Sequence, residues 1–214
     1  ALDNTVKTTD DVPGLPALGV VPHFELVGES KKGRGRHLEV PVLVSATSEL
    51  VGKNRVLEAY RSLRTSLLLS HSGTPPQTLL VTSALPGEGK TTTAVNIAMA
   101  FAQTGARTLL VDLDLRKPSL GRIFGIQSEQ GMTTYLSGNS DLASQIRPTA
   151  HANLFVVPAG LVAPNPAELI GSERMAAGLQ LVSESFTYVV FDTPPALAIS
   201  DALILSPRVD GVIL

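Results

Sequence analysis

Residues 77–101, QTLLVTSALPGEGKTTTAVNIAMAF, constrain this chain more than any other stretch. Residues 78–82 are apolar or β-branched and uncharged, as a strand buried on both faces requires. Pro86, Gly87 and Gly89 then break the run, and Lys90-Thr91 open a helical pattern over 91–103. The segment ALPGEGKT at 84–91 fits the phosphate-binding pattern, with Ala84 in place of the first glycine. Glycine lets the backbone come close enough for its N–H groups to point at phosphate oxygens. The helix N-terminus adds partial positive charge. Lys90 can reach the β- and γ-phosphates, and the Thr91 hydroxyl can ligate Mg²⁺. Gly87, Glu88, Gly89, Lys90, Thr91 and Thr92 are therefore the candidate nucleotide-binding residues.

The chain of 214 residues suits one α/β domain with an appended segment, and a hydrophobic content of 43% is enough to bury a core. A net charge of −2 gives no general argument for a nucleic-acid partner, and none is expected. The cluster Lys31-Lys32-Gly33-Arg34-Gly35-Arg36 is short, so a solvated loop is the default reading and contact with anionic lipid the alternative. With no cysteine, disulfides and thiolate metal sites are excluded. None of His23, His37, His71 and His151 has a ligand-spaced partner, which argues against a dedicated zinc site. No apolar run approaches the roughly 20 residues of a membrane span. The chain opens on Ala1 and its last residues, GVIL, read as the start of a strand, so it is expected to be part of something longer.

Residues 1–48 carry scattered Pro13, Pro16, Pro22 and Pro41 without a sustained period. They read as a linker arm, with extended pieces at 17–21 and 40–44 and a loop at 30–36. Over 49–70 the pattern turns helical: Val56, Leu57, Tyr60, Leu63 and Leu67 form one apolar face, with Glu58, Arg61 and Arg64 opposite or beside it. A second buried strand, 108–114, ends in Asp112 and Asp114, two apart and so on one side. Joined to 78–82 by a single helix, it is expected to lie beside that strand in a right-handed crossover. The ligand crevice of open α/β sheets lies at the C-terminal strand ends, so both carboxylates face the loop and are candidates for catalytic or metal duty. Short helical turns follow at 119–124 and 132–136, a third strand at 153–158 and a helix at 166–185, capped by Asn165 with Pro166 first. A fourth strand, 186–192, ends in Asp192, an apolar run closed by a carboxylate of the kind that holds Mg²⁺. A short helix at 200–205 precedes the last strand. The expected fold is thus α/β, a P-loop NTPase-type sheet of mainly parallel strands flanked by helices.

Five segments resemble the bacterial tyrosine kinases of the capsule and exopolysaccharide co-polymerase family. They are SALPGEGKTTTAVNIA, LLVDLDLRKPSLGRIFG with its Asp-x-Asp-x-Arg element, YVVFDTPPALAISDALIL, EAYRSLRTSL and NPAELIGSERM. The opening LDNTVKTTDDVPGLPALGVVP is similar to the segment that follows the second membrane helix in fused members. The resemblance implies residues 1–48 as a juxtamembrane arm and 49–214 as a kinase domain, C-terminally incomplete, at the cytoplasmic face of the bacterial inner membrane. It implies ATP or ADP with Mg²⁺ as cofactors, Lys90 on the β/γ-phosphates, Thr91, Asp114 and Asp192 around the metal, and Asp112 as acceptor of the tyrosine proton. Glu58, Arg61 and Arg64 match the family's Glu-x-x-Arg-x-x-Arg helix, which implies a homo-oligomeric ring beside a membrane-embedded co-polymerase, with protein tyrosines as substrates. Of this chain's own tyrosines, Tyr60 falls on an apolar face and Tyr188 in a buried strand, and Tyr135 is expected to be exposed.

Two other readings use the same residues. A partition-type ATPase switch shares the fold, but carries a signature lysine where Leu85 stands here. A nucleotide-binding regulator of polysaccharide export without transfer activity would need no other side chains.

Overall fold

The computed structural model describes residues 16–22, 51–70, 73–126 and 129–214, the side chains of 51–54 excepted. The extended piece expected at 40–44, the loop at 30–36 and most of the arm at 1–48 lie outside the described residues. Residues 16–22 run without forming a strand, and Leu18 and Val21 lie half-buried against the core that α1 helps to build.

Strands β1 (Thr78–Val81), β2 (Thr108–Asp112), β3 (Arg147–Pro148), β4 (Leu154–Val157), β5 (Tyr188–Asp192) and β6 (Gly211–Ile213) form one sheet in the order β3-β4-β2-β5-β1-β6. All pairings are parallel except β3 with β4, so the main connections are crossovers and both faces must be covered. Helices α1 (Val51–Leu69) and α2 (Lys90–Ala102) cover one face; α4 (Met132–Leu136), α5 (Pro166–Gly171), α6 (Glu173–Ser185) and α7 (Asp201–Leu205) contribute to the core on the other. The short α3 (Leu120–Ile123) follows β2. Strand side chains alternate between the two cores: Leu79 and Val81 face α1 and α2, Leu80 the opposite side.

The expected adjacency of the first two long strands is corrected: β5 lies between β1 and β2. A crossover helix fixes handedness but not whether it skips a place. The uncharged run of Val189, Val190 and Phe191, buried on both faces, takes the central position. Asp192 is thereby brought level with Val81 on one side and Asp112 on the other.

The helix expected over 166–185 is two helices. Ser172 leaves helical geometry and its Oγ accepts the Met175 N–H at 3.2 Å, so it ends α5 and caps α6. Asn165 makes no cap bond; its side-chain amide donates to Glu168 Oε2 at 2.6 Å. Pro166 does stand at the first helical position.

Helix α1 buries Val56, Tyr60, Leu63 and Leu67, the face that helical spacing predicts. It packs on α2, where Tyr60 Oη lies 3.5 Å from Thr93 Oγ1 and Arg64 Nη1 donates to the Ala100 carbonyl at 2.8 Å. No helix among the described residues is long and apolar enough to cross a membrane.

Candidate functional site

The loop between β1 and α2 turns through two left-handed positions, Gly87 at φ 88° and Gly89 at φ 91°. A Cβ at either would meet nothing within 4 Å, so the requirement for glycine is conformational rather than one of space. Glu88 Oε2 accepts the Leu85 N–H at 2.8 Å across the loop, and Ser83 Oγ donates to the Leu85 carbonyl at 2.8 Å. Gly87 and Glu88 are exposed; Gly89, Lys90, Thr91 and Thr92 are half-buried where the helix begins. Thirteen-residue α2 thus presents its N-terminus to this opening, as anion binding requires.

Three carboxylates approach the helix start, each differently held. Thr91 Oγ1 donates to Asp192 Oδ2 at 2.7 Å. Asp192 is fully buried, and its other oxygen, Oδ1, has no hydrogen-bond partner among the described residues. Burial, then the nearby Asp112 carboxylate, pushes Asp192 up to about 7 against the pull of the Thr91 hydroxyl and Lys90. Asp114 stands two residues beyond the end of β2, with Oδ2 3.8 Å from Lys90 Nζ and Oδ1 accepting the Lys117 N–H at 2.9 Å.

Asp112 is occupied otherwise. Its Oδ2 accepts the N–H groups of Ser119 and Leu120, both at 2.9 Å, and its Oδ1 that of Asp114 at 3.2 Å. Burial raises this carboxyl to about 6 although the backbone bonds favour its charged form. The side chain therefore satisfies the backbone at the start of α3 and fixes the turn that carries Asp114. Asp112 and Asp114 were expected on one side of a continuous strand; the strand ends at Asp112 and a turn presents Asp114 instead.

The loop ends are knitted by residues that sequence reasoning passed over. Thr82 Oγ1 donates to the Pro194 carbonyl at 2.8 Å and Thr193 Oγ1 to the Val81 carbonyl at 2.9 Å, locking the C-terminal ends of β1 and β5 together. Arg116 reaches Asp201 on α7 with two nitrogens at 3.3 Å, and Asp201 is fully buried. A signal for Asp201 existed, a carboxylate in the first turn of a helical stretch, but it reads as capping until Arg116 is placed beside it.

Glu58 and Arg61 lie exposed and paired with one another at 2.5 Å. Arg64 differs from them: it is half-buried, bonded to the end of α2, and its Nε is buried without a hydrogen-bond partner among the described residues. Tyr135, expected to be exposed, is buried; its hydroxyl donates to the Arg174 carbonyl at 2.7 Å and the Arg174 guanidinium lies over its ring. Tyr60 is buried, and Tyr188 is half-buried and stacked on Phe101 with ring centroids 4.1 Å apart.

A family model described as an AAA domain matches residues 78–213. Tyrosine-protein kinase YwqD of Bacillus subtilis (strain 168) is 35% identical over 184 residues, covering 86% of this chain and 76% of that protein. Tyrosine-protein kinase wzc of Salmonella typhimurium is 40% identical over 149 residues, which are 70% of this chain but 21% of that longer protein. Among solved structures, the kinase domain of Escherichia coli tyrosine kinase ETK superposes with a TM-score of 0.80 at 29% identity, covering 93% of this chain and 77% of that one.

Proposed function

This chain belongs to the bacterial tyrosine-protein kinases, and from that premise we propose that it transfers the γ-phosphoryl group of Mg–ATP to tyrosines of a neighbouring subunit. One observation carries the reading: the Thr91 hydroxyl rests on Asp192 at 2.7 Å while the second Asp192 oxygen is buried beside it with no partner among the described residues. A buried carboxylate oxygen without a donor is costly unless a cation or water reaches it. Mg²⁺ takes oxygen ligands and keeps several waters, which fits Thr91 and Asp192 with Asp114 nearby.

Bound Mg–ATP supplies the phosphoryl group and neutralises part of its charge. The N–H groups from Gly87 through Thr92 orient the phosphates, and Lys90 stabilises the charge that moves during transfer. Asp114 positions Lys90 and meets the nucleotide side of the site. Asp112 is poorly placed to take the tyrosine proton, because it is fully buried and its oxygens already accept three backbone N–H groups. We therefore assign Asp112 the task of holding Asp114 in place.

The acceptor is placed outside these 214 residues because none of Tyr60, Tyr135 and Tyr188 is exposed. Glu58 and Arg61, exposed on α1, are the surface proposed to dock on the next copy in a ring, with Arg64 anchoring the helix behind them. The same reading puts the chain at the cytoplasmic face of the membrane, with residues 1–48 as the arm leading to a co-polymerase of exopolysaccharide or capsule.

The test is incubation of the natural chain and of Lys90→Met with Mg–ATP and a synthetic tyrosine peptide as acceptor, followed by phosphopeptide mapping. The natural chain is expected to label the peptide's tyrosine while leaving Tyr60, Tyr135 and Tyr188 unlabelled, and Lys90→Met to lower labelling by about 100-fold or more with unchanged thermal unfolding. Release of free phosphate with no labelled tyrosine would replace this reading by the ATPase switch.

A further inference from the structure

Asp201, fully buried at the start of α7, takes no part in the phosphate and metal contacts described above. Arg116 meets it with two nitrogens: Nε donates to Oδ2 and Nη2 to Oδ1, both at 3.3 Å. A two-bond pair between guanidinium and carboxylate fixes the orientation of both groups as well as their distance. The Arg116 side chain is 39% exposed, so the pair stands at the edge of the core.

The pair joins the two loops that carry Asp114 and Asp192. Arg116 lies in the turn after β2 that holds Asp114, and Asp201 on the segment that leads from Asp192 into α7. On the β1 side that segment is tied by its backbone: the Thr193 and Ala196 N–H groups donate to the Val81 and Ser83 carbonyls at 3.1 and 2.8 Å. On the β2 side it is tied by Arg116. Because β5 lies between β1 and β2, the two sets of bonds brace the Asp192 loop from both flanks. Each end of the pair has a firm footing. Ala202 and Leu205 of α7 are buried in the core, as are Leu113 and Leu115 on either side of Asp114.

Stability alone is a weak reason for such a pair. Desolvation of a buried carboxylate offsets much of the attraction of its partner, and apolar residues of similar volume often replace a buried pair without loss. What the pair adds is geometry. Mg²⁺ demands near-ideal octahedral coordination, so carboxylates that reach it directly or through water must keep their spacing. Asp114 lies beyond the end of β2, and its place depends on the bonds of the turn rather than on the strand ladder.

We propose that Asp201 is a positioning residue: acting through Arg116, it fixes the turn of Asp114 against the loop of Asp192 and so sets the spacing of the two carboxylates for Mg²⁺. The proposal rests on the reading of Asp114 and Asp192 as the metal side of the site, and adds the residue pair that holds them in register. Neither Asp201 nor Arg116 touches the metal or the nucleotide in this role. Outer residues that orient metal ligands typically change metal affinity by about 10–100-fold when replaced.

Three variants separate positioning from folding. Asp201→Asn keeps an acceptor but removes the charge. Arg116→Lys keeps the charge that Asp201 needs but cannot present the planar fork. The double variant, Arg116→Met with Asp201→Asn, leaves no buried charge without its partner. Each is compared with the natural chain by calorimetric titration of ADP without metal, by titration of Mg²⁺ into the ADP complex, and by amide hydrogen exchange of the metal-free protein. ADP affinity without metal is expected to stay within about twofold, while the Mg²⁺ concentration for half-saturation rises about tenfold in all three. Exchange over residues 113–120 should quicken about tenfold or more, with β1 and α6 unchanged. The double variant decides between the two roles. If its urea midpoint and its Mg²⁺ half-saturation both match the natural chain, the pair serves folding alone and the proposal is overturned. Weaker metal-free ADP binding in Arg116→Lys but not in Asp201→Asn also overturns it, assigning Arg116 to the phosphates directly. A natural chain whose ADP complex takes up no Mg²⁺ removes the metal-site reading, and this proposal with it.

Discussion

Replacing Asp192 by Asn should stabilise the metal-free protein at high pH, by an amount that shrinks as the pH falls. Asp192 is fully buried and its carboxyl is raised to about 7, first by burial and then by Asp112. In the unfolded chain it returns to an ordinary value near 3.9. Between those values the folded state holds a proton that the unfolded state has released, so stability falls as pH rises. Each unit of difference is worth about 1.4 kcal/mol, which sets a ceiling of about 4 kcal/mol on the whole effect. Asn carries no titration and can still accept from Thr91, though its amide N–H₂ would stand where Oδ1 has no partner among the described residues. The difference between variant and natural chain should therefore grow by about 2–3 kcal/mol from pH 5 to pH 8, whatever fixed cost the amide adds. Urea unfolding of both proteins at the two pH values, in EDTA, measures it. The same variant should lose Mg-dependent nucleotide affinity. A difference that is constant with pH, or that shrinks toward pH 8, would refute the assignment of Asp192 as a buried carboxylate awaiting a cation.

On α1, Arg64→Ala should cost about 1–2 kcal/mol in urea unfolding, through the lost bond to the Ala100 carbonyl and lost packing of its stem. Arg61→Ala should stay within about 0.5 kcal/mol, because its pair with Glu58 is exposed, and should instead lower the mass seen by light scattering. Gly131→Ala should destabilise by on the order of 3 kcal/mol, since its Cβ would sit 2.1 Å from the Pro158 oxygen; a thermal midpoint equal to that of the natural chain would show the two loops are not clamped.

The phosphate loop was legible because its physics is local. A buried strand, two glycines with left-handed φ, a lysine and a threonine at a helix start lie within residues 78–91 and need no distant partner to be understood. The apolar face of α1 was equally readable, since helical period alone puts Val56, Tyr60, Leu63 and Leu67 on one side. Three features were decided only by the tertiary structure. The insertion of β5 between β1 and β2 depends on which apolar run takes the centre of the sheet, a competition among segments that no single segment records. The different partners of Asp112 and Asp114 depend on where β2 ends and on which N–H groups the following turn offers. The split of Arg64 from Glu58 and Arg61, three charges at one helical spacing, depends on α2 lying within reach of one of them. Period and motif fix what a residue can present; what it meets is set by packing across the sheet, where residues about a hundred positions apart, such as Thr91 and Asp192, become neighbours at 2.7 Å.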